Sequence, residues 1–353
     1  MIKITINGRE IQVPKGTMVL DACQQAGVDV PTLCYDQDLK LAGSCRMCVV
    51  EAKGRPNLMA ACVSPAENGM VIETESPDVV ESRKIILELL LARHKLECHT
   101  CEKDGNCKLQ DYCYRYGVAD SRYAGQGPHF GMEDPNPFFK RDYDKCIMCT
   151  RCVRVCDEIT GAQAINVKHR GHHAKIATVF DGRLADSSCV FCGQCVMVCP
   201  VGALTSKVSA GKGKSYQTQN VLTTCTYCGT GCTFELNVKD DHVVGVTSVR
   251  DSEFSPVNKG ALCVKGRFGW DFIESEERLT TPLIRENGEL RPASWDEALD
   301  FAANKIKAIK EKDGPDALAL FSSARATNEE NYLAQKLFRA AIGTNNVDHC
   351  ARL

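Results

Sequence analysis

Eight cysteines between Cys146 and Cys199 constrain this chain more than any other stretch. They fall as C-x2-C-x2-C-x3-C at Cys146, Cys149, Cys152 and Cys156, and the spacing recurs at Cys189, Cys192, Cys195 and Cys199. Every ligand returns at an offset of 43 residues, which marks an internal duplication of a thiolate half-site. In runs of this spacing three cysteines hold one [4Fe-4S] cube and the fourth crosses to a second. Cys146, Cys149 and Cys152 therefore group with Cys199, and Cys189, Cys192 and Cys195 with Cys156.

The 353 residues contain 22 cysteines. A disulfide framework would need an oxidising compartment. The start, Met1-Ile2-Lys3-Ile4, lacks an apolar signal core and a twin-arginine pair, and no apolar run reaches the roughly 18 residues that span a bilayer. A cytoplasmic protein with metal-bound thiolates is expected. Zinc suits isolated thiolate pairs, but a run of three cysteines plus a fourth is cube spacing. With 43 basic and 45 acidic residues the net charge is -2, and the absence of a basic stripe argues against nucleic acid. The length allows two to four domains.

In chain order, Met1 to Val13 alternates apolar and polar residues around Asn7-Gly8, a type I′ hairpin signal. Thr17 is placed to cap a short helix carrying Val19, Leu20 and Cys23 and ending near Gly27. Cys34, Cys45, Cys48 and Cys62 follow as C-x10-C-x2-C-x13-C. Four thiolates, with Gly43 and Ser44 allowing close backbone approach, suit a [2Fe-2S] cluster in a β-grasp domain. Ser76-Pro77 begins a helix whose apolar face is Ile85, Ile86, Leu89 and Leu90. It delivers His94, ahead of Cys98, Cys101 and Cys107. On spacing alone that H-x3-C-x2-C-x5-C set fits zinc or an iron–sulfur cube.

Residues 1 to about 205 resemble the iron–sulfur front half shared by the large iron–sulfur subunit of respiratory complex I, Fe-only hydrogenases and NAD(P)-linked formate dehydrogenase large subunits. The Cys34 set, the His94 set and the cysteine octet carry the resemblance. It implies a [4Fe-4S] cube at His94, Cys98, Cys101 and Cys107. One departure is that Cys156 precedes Asp157, where Cys199 precedes Pro200.

Ser206 to Asn220 is rich in Gly, Lys, Ser and Gln and reads as a linker. Beyond it Cys225, Cys228, Cys232 and Cys263 are spaced C-x2-C-x3-C-x30-C, with expected strands Phe234 to Val238 and Val243 to Val249 turning at Asp240-Asp241. These thiolates suit zinc or a fifth cluster. The run Cys225 to Cys232, with Cys263-Val264-Lys265-Gly266 and Ser294-Trp295-Asp296-Glu297, resembles the N-terminal cluster domain of molybdopterin-dependent formate dehydrogenases. That resemblance implies a [4Fe-4S] cube and places Lys265 between it and the pterin. Ser294 with Glu297 and Thr327 with Glu330 are capping boxes for helices to about Lys312 and Ile342, with a strand at Ala317 to Ser322 between them. The final run, Asn345 to Leu353, resembles the segment leading into the metal-ligating selenocysteine of many such enzymes. The expectation is a chain cut at a UGA codon.

The expected fold is multidomain α+β. It comprises a β-grasp [2Fe-2S] ferredoxin domain (1–76), a 4Fe-4S domain with one histidine and three cysteine ligands (77–135), a bacterial 2[4Fe-4S] ferredoxin-like domain (136–208), a linker (209–220), a small β cluster domain of molybdopterin oxidoreductase type (221–282) and the start of an α/β molybdopterin domain (283–353). The implied cofactors are one [2Fe-2S] and four [4Fe-4S] clusters, with a molybdenum or tungsten bis-molybdopterin guanine dinucleotide in a full-length protein. The implied role is the N-terminal, electron-carrying part of a formate dehydrogenase interconverting formate and carbon dioxide. Electrons would run from the Cys225 cube through the octet and the His94 cube to the Cys34 cluster, and on to a flavin-containing NAD(P)H-binding iron–sulfur subunit or ferredoxin. The fragment itself holds no expected catalytic residue and is expected to be inactive on formate. Alternatives are a complex I-like large subunit, an Fe-only hydrogenase electron-transfer subunit, and a stand-alone electron-transfer subunit. Cys23 and Cys113 read as core residues, and Cys350 is left without a role.

Overall fold

The structure is a computed structural model and describes residues 1–125, 128–133 and 136–351. The expected boundary at residue 135 and the terminal Arg352 and Leu353 lie outside them. The chain divides into two compact units. Unit 1 comprises Met1–Asn220, Asn237–Thr247 and Ala261–Phe268; unit 2 comprises Val221–Leu236, Ser248–Gly260 and the chain from Gly269 onward. No helix among the described residues is long and apolar enough to cross a membrane.

Unit 1 opens with strands β1 (Ile2–Ile6) and β2 (Arg9–Val13), antiparallel from Ile2↔Val13 to Ile6↔Arg9. Asn7 (φ 47°) and Gly8 (φ 82°) both take the left-handed conformation that a type I′ turn requires. Alternation turns Ile4 and Ile6 inward to full burial, each contributing about 2–3 kcal/mol. Helix α1 (Val19–Gln25) packs Val19, Leu20 and Cys23 onto them. Thr17 does not cap this helix. The chain reverses at Gly16 (φ 93°), and the Thr17 hydroxyl donates to the Pro14 carbonyl at 2.8 Å, leaving Met18 at the N-cap. Strands β3 (Val49–Ala52), β4 (Met59–Ala60) and β5 (Val71–Glu73) complete a sheet of order β2-β1-β5-β3-β4, with β1 and β5 parallel.

Helix α2 (Pro77–Leu91) starts at Ser76-Pro77 as expected, but its inward stripe is Val79, Arg83, Leu87 and Leu91, with Leu89 exposed. The face is rotated because an arginine takes one inward position. Helix α3 (Lys108–Tyr116) ends at a left-handed Gly117. Strands β6 (Met132–Glu133) and β7 (Phe139–Asp142) precede helix α4 (Arg151–Glu158). The hairpin β8 (Asn166–Lys168) and β9 (Lys175–Ala177) leads to helix α5 (Gln194–Val198) and strand β10 (Leu204–Ser206), which pairs antiparallel with β7. Leu33, Met47, Leu87, Leu91, Leu109, Phe139, Ile147 and Val201 belong to one core that also takes in Cys34, Cys107, Cys149 and Cys199, while Cys48 and Cys62 pack in the core of the first sheet. Residues 209–220 lie on this body: the Lys214 ammonium donates to the Cys101 carbonyl, and the Tyr216 ring covers Gly105.

Strands β11 (Gln219–Thr224), β12 (Thr233–Lys239) and β13 (His242–Ser248) follow, and Asp240 and Asp241 are both left-handed at the expected turn. Helix α6 (Val264–Phe268) belongs to unit 1. In unit 2, β14 (Leu283–Glu286) and β15 (Glu289–Pro292) form a hairpin turning on Asn287-Gly288. Helix α7 (Trp295–Asp313), strand β16 (Leu320–Ser322), helix α8 (Asn328–Lys336) and strand β17 (Val347–His349) then form an α/β segment with β16 and β17 parallel. Thr327 and Glu330 close a full capping box. Ser294 makes only half of one, because the Glu297 carboxylate takes Arg291 at 2.6 Å, a charge-assisted bond stronger than one to a backbone amide. A π-helical turn, Leu337–Ile342, extends α8 to the expected end. Helix α7 buries none of its 19 residues, and Phe321 is 83% exposed.

Candidate metal centres

The four thiols of the first set converge. Cys34, Cys48 and Cys62 are buried, and the Cys34 amide donates to Cys45 Sγ at 3.4 Å. Bonds from Cys45 and Cys62 hold Cys34 far below the usual thiol range, and one from Cys62 draws Cys48 down to about 7. Cys45 and Cys62 are pushed up in exchange, first by hydrogen bonding to Cys34 and then by other neighbours and burial. Four sulfurs that must share protons fit a centre that takes them all as thiolates. Gly43 (φ 60°) leaves room for Val63, whose Cγ1 would lie 3.0 Å from an added Cβ.

His94 lies three residues past α2, its amide bonded to the Leu91 carbonyl. It lines one pocket with Cys98, Cys101 and Cys107. Burial, followed by the nearby Lys145, pushes the imidazole down to about 4, so the ring is neutral. Its Nδ1 is buried without a hydrogen-bond partner. A neutral ring with an orphan nitrogen beside three thiols fits a mixed histidine–thiolate cluster ligand set. Gly202 backs the pocket, and a Cβ there would lie 2.3 Å from Cys101 Sγ.

In the octet the sequence repeat is also a repeat of conformation. Met148 and Phe191, equivalent at the 43-residue offset, are both left-handed at φ 52°. Their amides donate to Cys146 Sγ and Cys189 Sγ, each at 3.4 Å. Thr150 and Gly193 are left-handed again and begin α4 and α5. All eight cysteines line one cavity walled by residues such as Ile147, Ile165 and Val201. Cys199 acts electrostatically on Cys146, Cys149 and Cys152; Cys156 acts on Cys189 and Cys195. Cys195 also acts on Cys152, and Cys199 on Cys195, so the interactions run across the whole octet. Burial first, then adjoining sulfurs, pushes Cys146 up to about 11 and Cys149 to about 12. Such thiols ionise together only around a cationic core, which an iron–sulfur cube supplies. Among the described residues, no group of three or more His, Cys, Asp or Glu closes on a single-ion position.

The last set is divided between the units and is described in two parts. In unit 2 the Cys225 amide donates to the Cys232 carbonyl at 2.8 Å, a short loop that also carries Cys228. In unit 1 Cys263 and Lys265 are exposed at α6. Two residues on, buried Arg267 donates to the Cys192 carbonyl at 3.0 Å and to Gln194 Oε1 at 2.5 Å, fastening α6 to the second octet loop. Of the remaining cysteines, burial pushes Cys23 and Cys113 up to about 11, as fits packing residues, and exposed Cys350 lies 3.5 Å from Ser323 Oγ.

Sequence reasoning missed the side chains that brace these sets. Arg151 pairs with Asp36 in the interior, and Arg154 donates to the carbonyls of Cys34 and Lys40. Lys145, beside Cys146, also lines the His94 pocket. Arg83 bonds the carbonyls either side of Cys48. Gly202 is silent in sequence. A glycine three residues after the last octet cysteine is a signal only once the Cys101 loop is known to face it.

Comparison with known proteins assigns most of the chain to domain families. Residues 1–77 match a 2Fe-2S iron-sulfur cluster binding domain, 83–122 the NADH-ubiquinone oxidoreductase-G iron-sulfur binding region, and 136–205 the NADH-quinone oxidoreductase subunit 3 ferredoxin-like domain. Residues 218–275 match the molybdopterin oxidoreductase Fe4S4 domain, and 278–353 molybdopterin oxidoreductase. The NADPH-Fe(3+) oxidoreductase subunit alpha of Geobacter sulfurreducens is 39% identical over 353 residues, all of this chain and 40% of that protein. An NADH-quinone oxidoreductase subunit of Rhizobium meliloti, the second of its G type, is 41% identical over 354 residues, again 100% and 40%. A Staphylococcus aureus protein named "Putative formate dehydrogenase" is 35% identical over 388 residues, 99% of this chain and 39% of its own. The chain thus spans about 40% of the length of these curated relatives. A chain in the crystal structure of an NAD+-reducing [NiFe]-hydrogenase in the H2-reduced state aligns with a TM-score of 0.56 and 32% identity, covering 60% of this chain and 90% of that one.

Proposed function

We propose that this chain, which belongs to the molybdopterin oxidoreductase-type iron–sulfur subunits, is the electron-conducting portion of a formate dehydrogenase linked to a nicotinamide nucleotide or ferredoxin. The observation that carries the conducting role is the octet, whose eight thiols line one apolar-walled cavity in two conformationally repeated loops. Iron–sulfur clusters bound at these thiols and His94 would supply one-electron transfer.

The protein's own residues hold and space the sites. Amides of Met148 and Phe191 donate to ligand sulfurs, which stabilises the thiolate form. Arg267 fixes α6, and with it Cys263 and Lys265, to the Cys192 loop. Arg154 fixes α4 to the Cys34 carbonyl. This hydrogen bond ties the helix that carries Cys152 and Cys156 to the first cysteine set. Lys265 would then stand between the Cys263 ligand and a pterin, and the partner would be a flavin-containing NAD(P)H-binding iron–sulfur subunit or ferredoxin.

A second reading, an NADH-quinone oxidoreductase subunit, is supported as strongly by the Rhizobium meliloti relative. Viologen-linked formate oxidation separates the two when measured on the complex purified with whatever longer subunit and partners accompany this chain. The formate reading expects turnover by the complex and none by the isolated 353-residue chain. A complex that transfers electrons from NADH but leaves formate untouched overturns it.

A further inference from the structure

Arg83 is fully buried, yet an arginine cannot shed its charge. Its Nε donates to the Met47 carbonyl at 3.2 Å and its Nη2 to the Val49 carbonyl at 2.8 Å, so the guanidinium holds the carbonyls of both neighbours of Cys48. Its Nη1 donates to the Tyr116 hydroxyl at 2.7 Å and to Glu75 Oε1 at 2.8 Å. The same Glu75 oxygen accepts Arg115 at 2.8 Å and the Tyr116 hydroxyl at 3.1 Å. One half-exposed carboxylate therefore serves two guanidiniums, while Asp29, the other acid in the network, sits at the exposed end on Arg115.

A buried charge with half a counter-ion is costly unless another negative group shares it. The two carbonyls that Arg83 holds belong to the neighbours of Cys48, a member of the cysteine set that becomes anionic when it ligates iron. Arg83 also acts on Cys23, which packs in the same core as Cys48 and Cys62, against the rise that burial causes there. The geometry points to Arg83 as the residue that positions the Cys48 segment and sets the reduction potential of the [2Fe-2S] centre at Cys34, Cys45, Cys48 and Cys62. The inference rests on that set holding a [2Fe-2S] cluster.

Reduction passes one electron from an external reductant such as dithionite to the centre. No bond forms or breaks and no proton moves, so the site becomes one charge more negative. A buried cation favours that state and raises the potential. Glu75 opposes it by neutralising the cation.

The test is an EPR-monitored redox titration of the anaerobically reconstituted full chain, native and as Arg83→Gln, Arg83→Lys and Glu75→Gln. At the poise where the native centre is half reduced, Arg83→Gln should lower the reduced-to-oxidised ratio about tenfold, a shift of ~59 mV downward for one electron. Arg83→Lys should stay near native, and Glu75→Gln should shift upward. The opposite signs separate charge from loosened packing, and Glu75→Gln keeps the test open if Arg83→Gln fails to fold. Equal downward shifts in all three variants, or no shift in any, overturn the inference. A native chain without a [2Fe-2S] signal overturns the cluster assignment instead.

Discussion

Arg151, at the start of the helix carrying Cys152 and Cys156, forms an ion pair with Asp36, two residues past Cys34, and the Asp36 side chain is wholly buried. A contact between residues 115 apart in sequence thereby fixes two cysteine sets in a way that their spacings do not encode. Removing one partner strands a buried charge, which costs about 3–5 kcal/mol. Asp36→Ala should lower the urea midpoint of the cluster-loaded chain by a corresponding amount. A midpoint within experimental scatter of the native value would mean that the pair is not holding the two sets together.

Gly202 tests the His94 pocket separately. Its Cβ position, 2.3 Å from Cys101 Sγ, leaves no room for a methyl without moving a proposed ligand. Gly202→Ala should lose the EPR signal of the histidine-ligated cube while signals from the octet and the Cys34 set persist. Retention of all signals at native intensity contradicts the placement of Cys101 as a ligand.

The 43-residue repeat is not symmetric in what it tolerates. Thr150 and Gly193 share the left-handed conformation, but at Gly193 a Cβ would meet Arg267 Cδ at 2.3 Å and Phe268 Cζ at 2.6 Å. Thr150→Gly should therefore leave iron content unchanged, since glycine adopts this conformation freely. Gly193→Thr should expel Arg267 from the Cys192 carbonyl and lower iron content together with thermal stability. Equal tolerance at the two positions would show that α6 does not depend on this packing.

The features legible in the sequence were those with a local chemical cause. The octet spacing, the Asn7-Gly8 turn and the Thr327–Glu330 box each need particular residues a few positions apart. The misjudged ones lost a local competition: Thr17 bonded Pro14, and Glu297 chose Arg291. What could not be read were contacts between distant segments, such as Arg83 with Val49, Arg151 with Asp36 and Gly202 with Cys101. An arginine on a helix or a glycine after a cysteine acquires meaning only from what the fold brings against it. The rotated face of α2 is the clearest case, because a charge at Arg83 breaks the apolar pattern and is still as fully buried as Val79 and Leu87.

The central claim is that the thiol sets and His94 hold iron–sulfur clusters that conduct electrons. Anaerobic reconstitution of the chain, followed by iron, acid-labile sulfide and zinc analysis with EPR of the dithionite-reduced protein, tests it most directly. One [2Fe-2S] and four [4Fe-4S] clusters predict about 18 iron atoms per chain, matched by sulfide, with distinct signals that disappear on reoxidation. Zinc in place of iron, or iron without sulfide and without a reducible signal, would contradict the account.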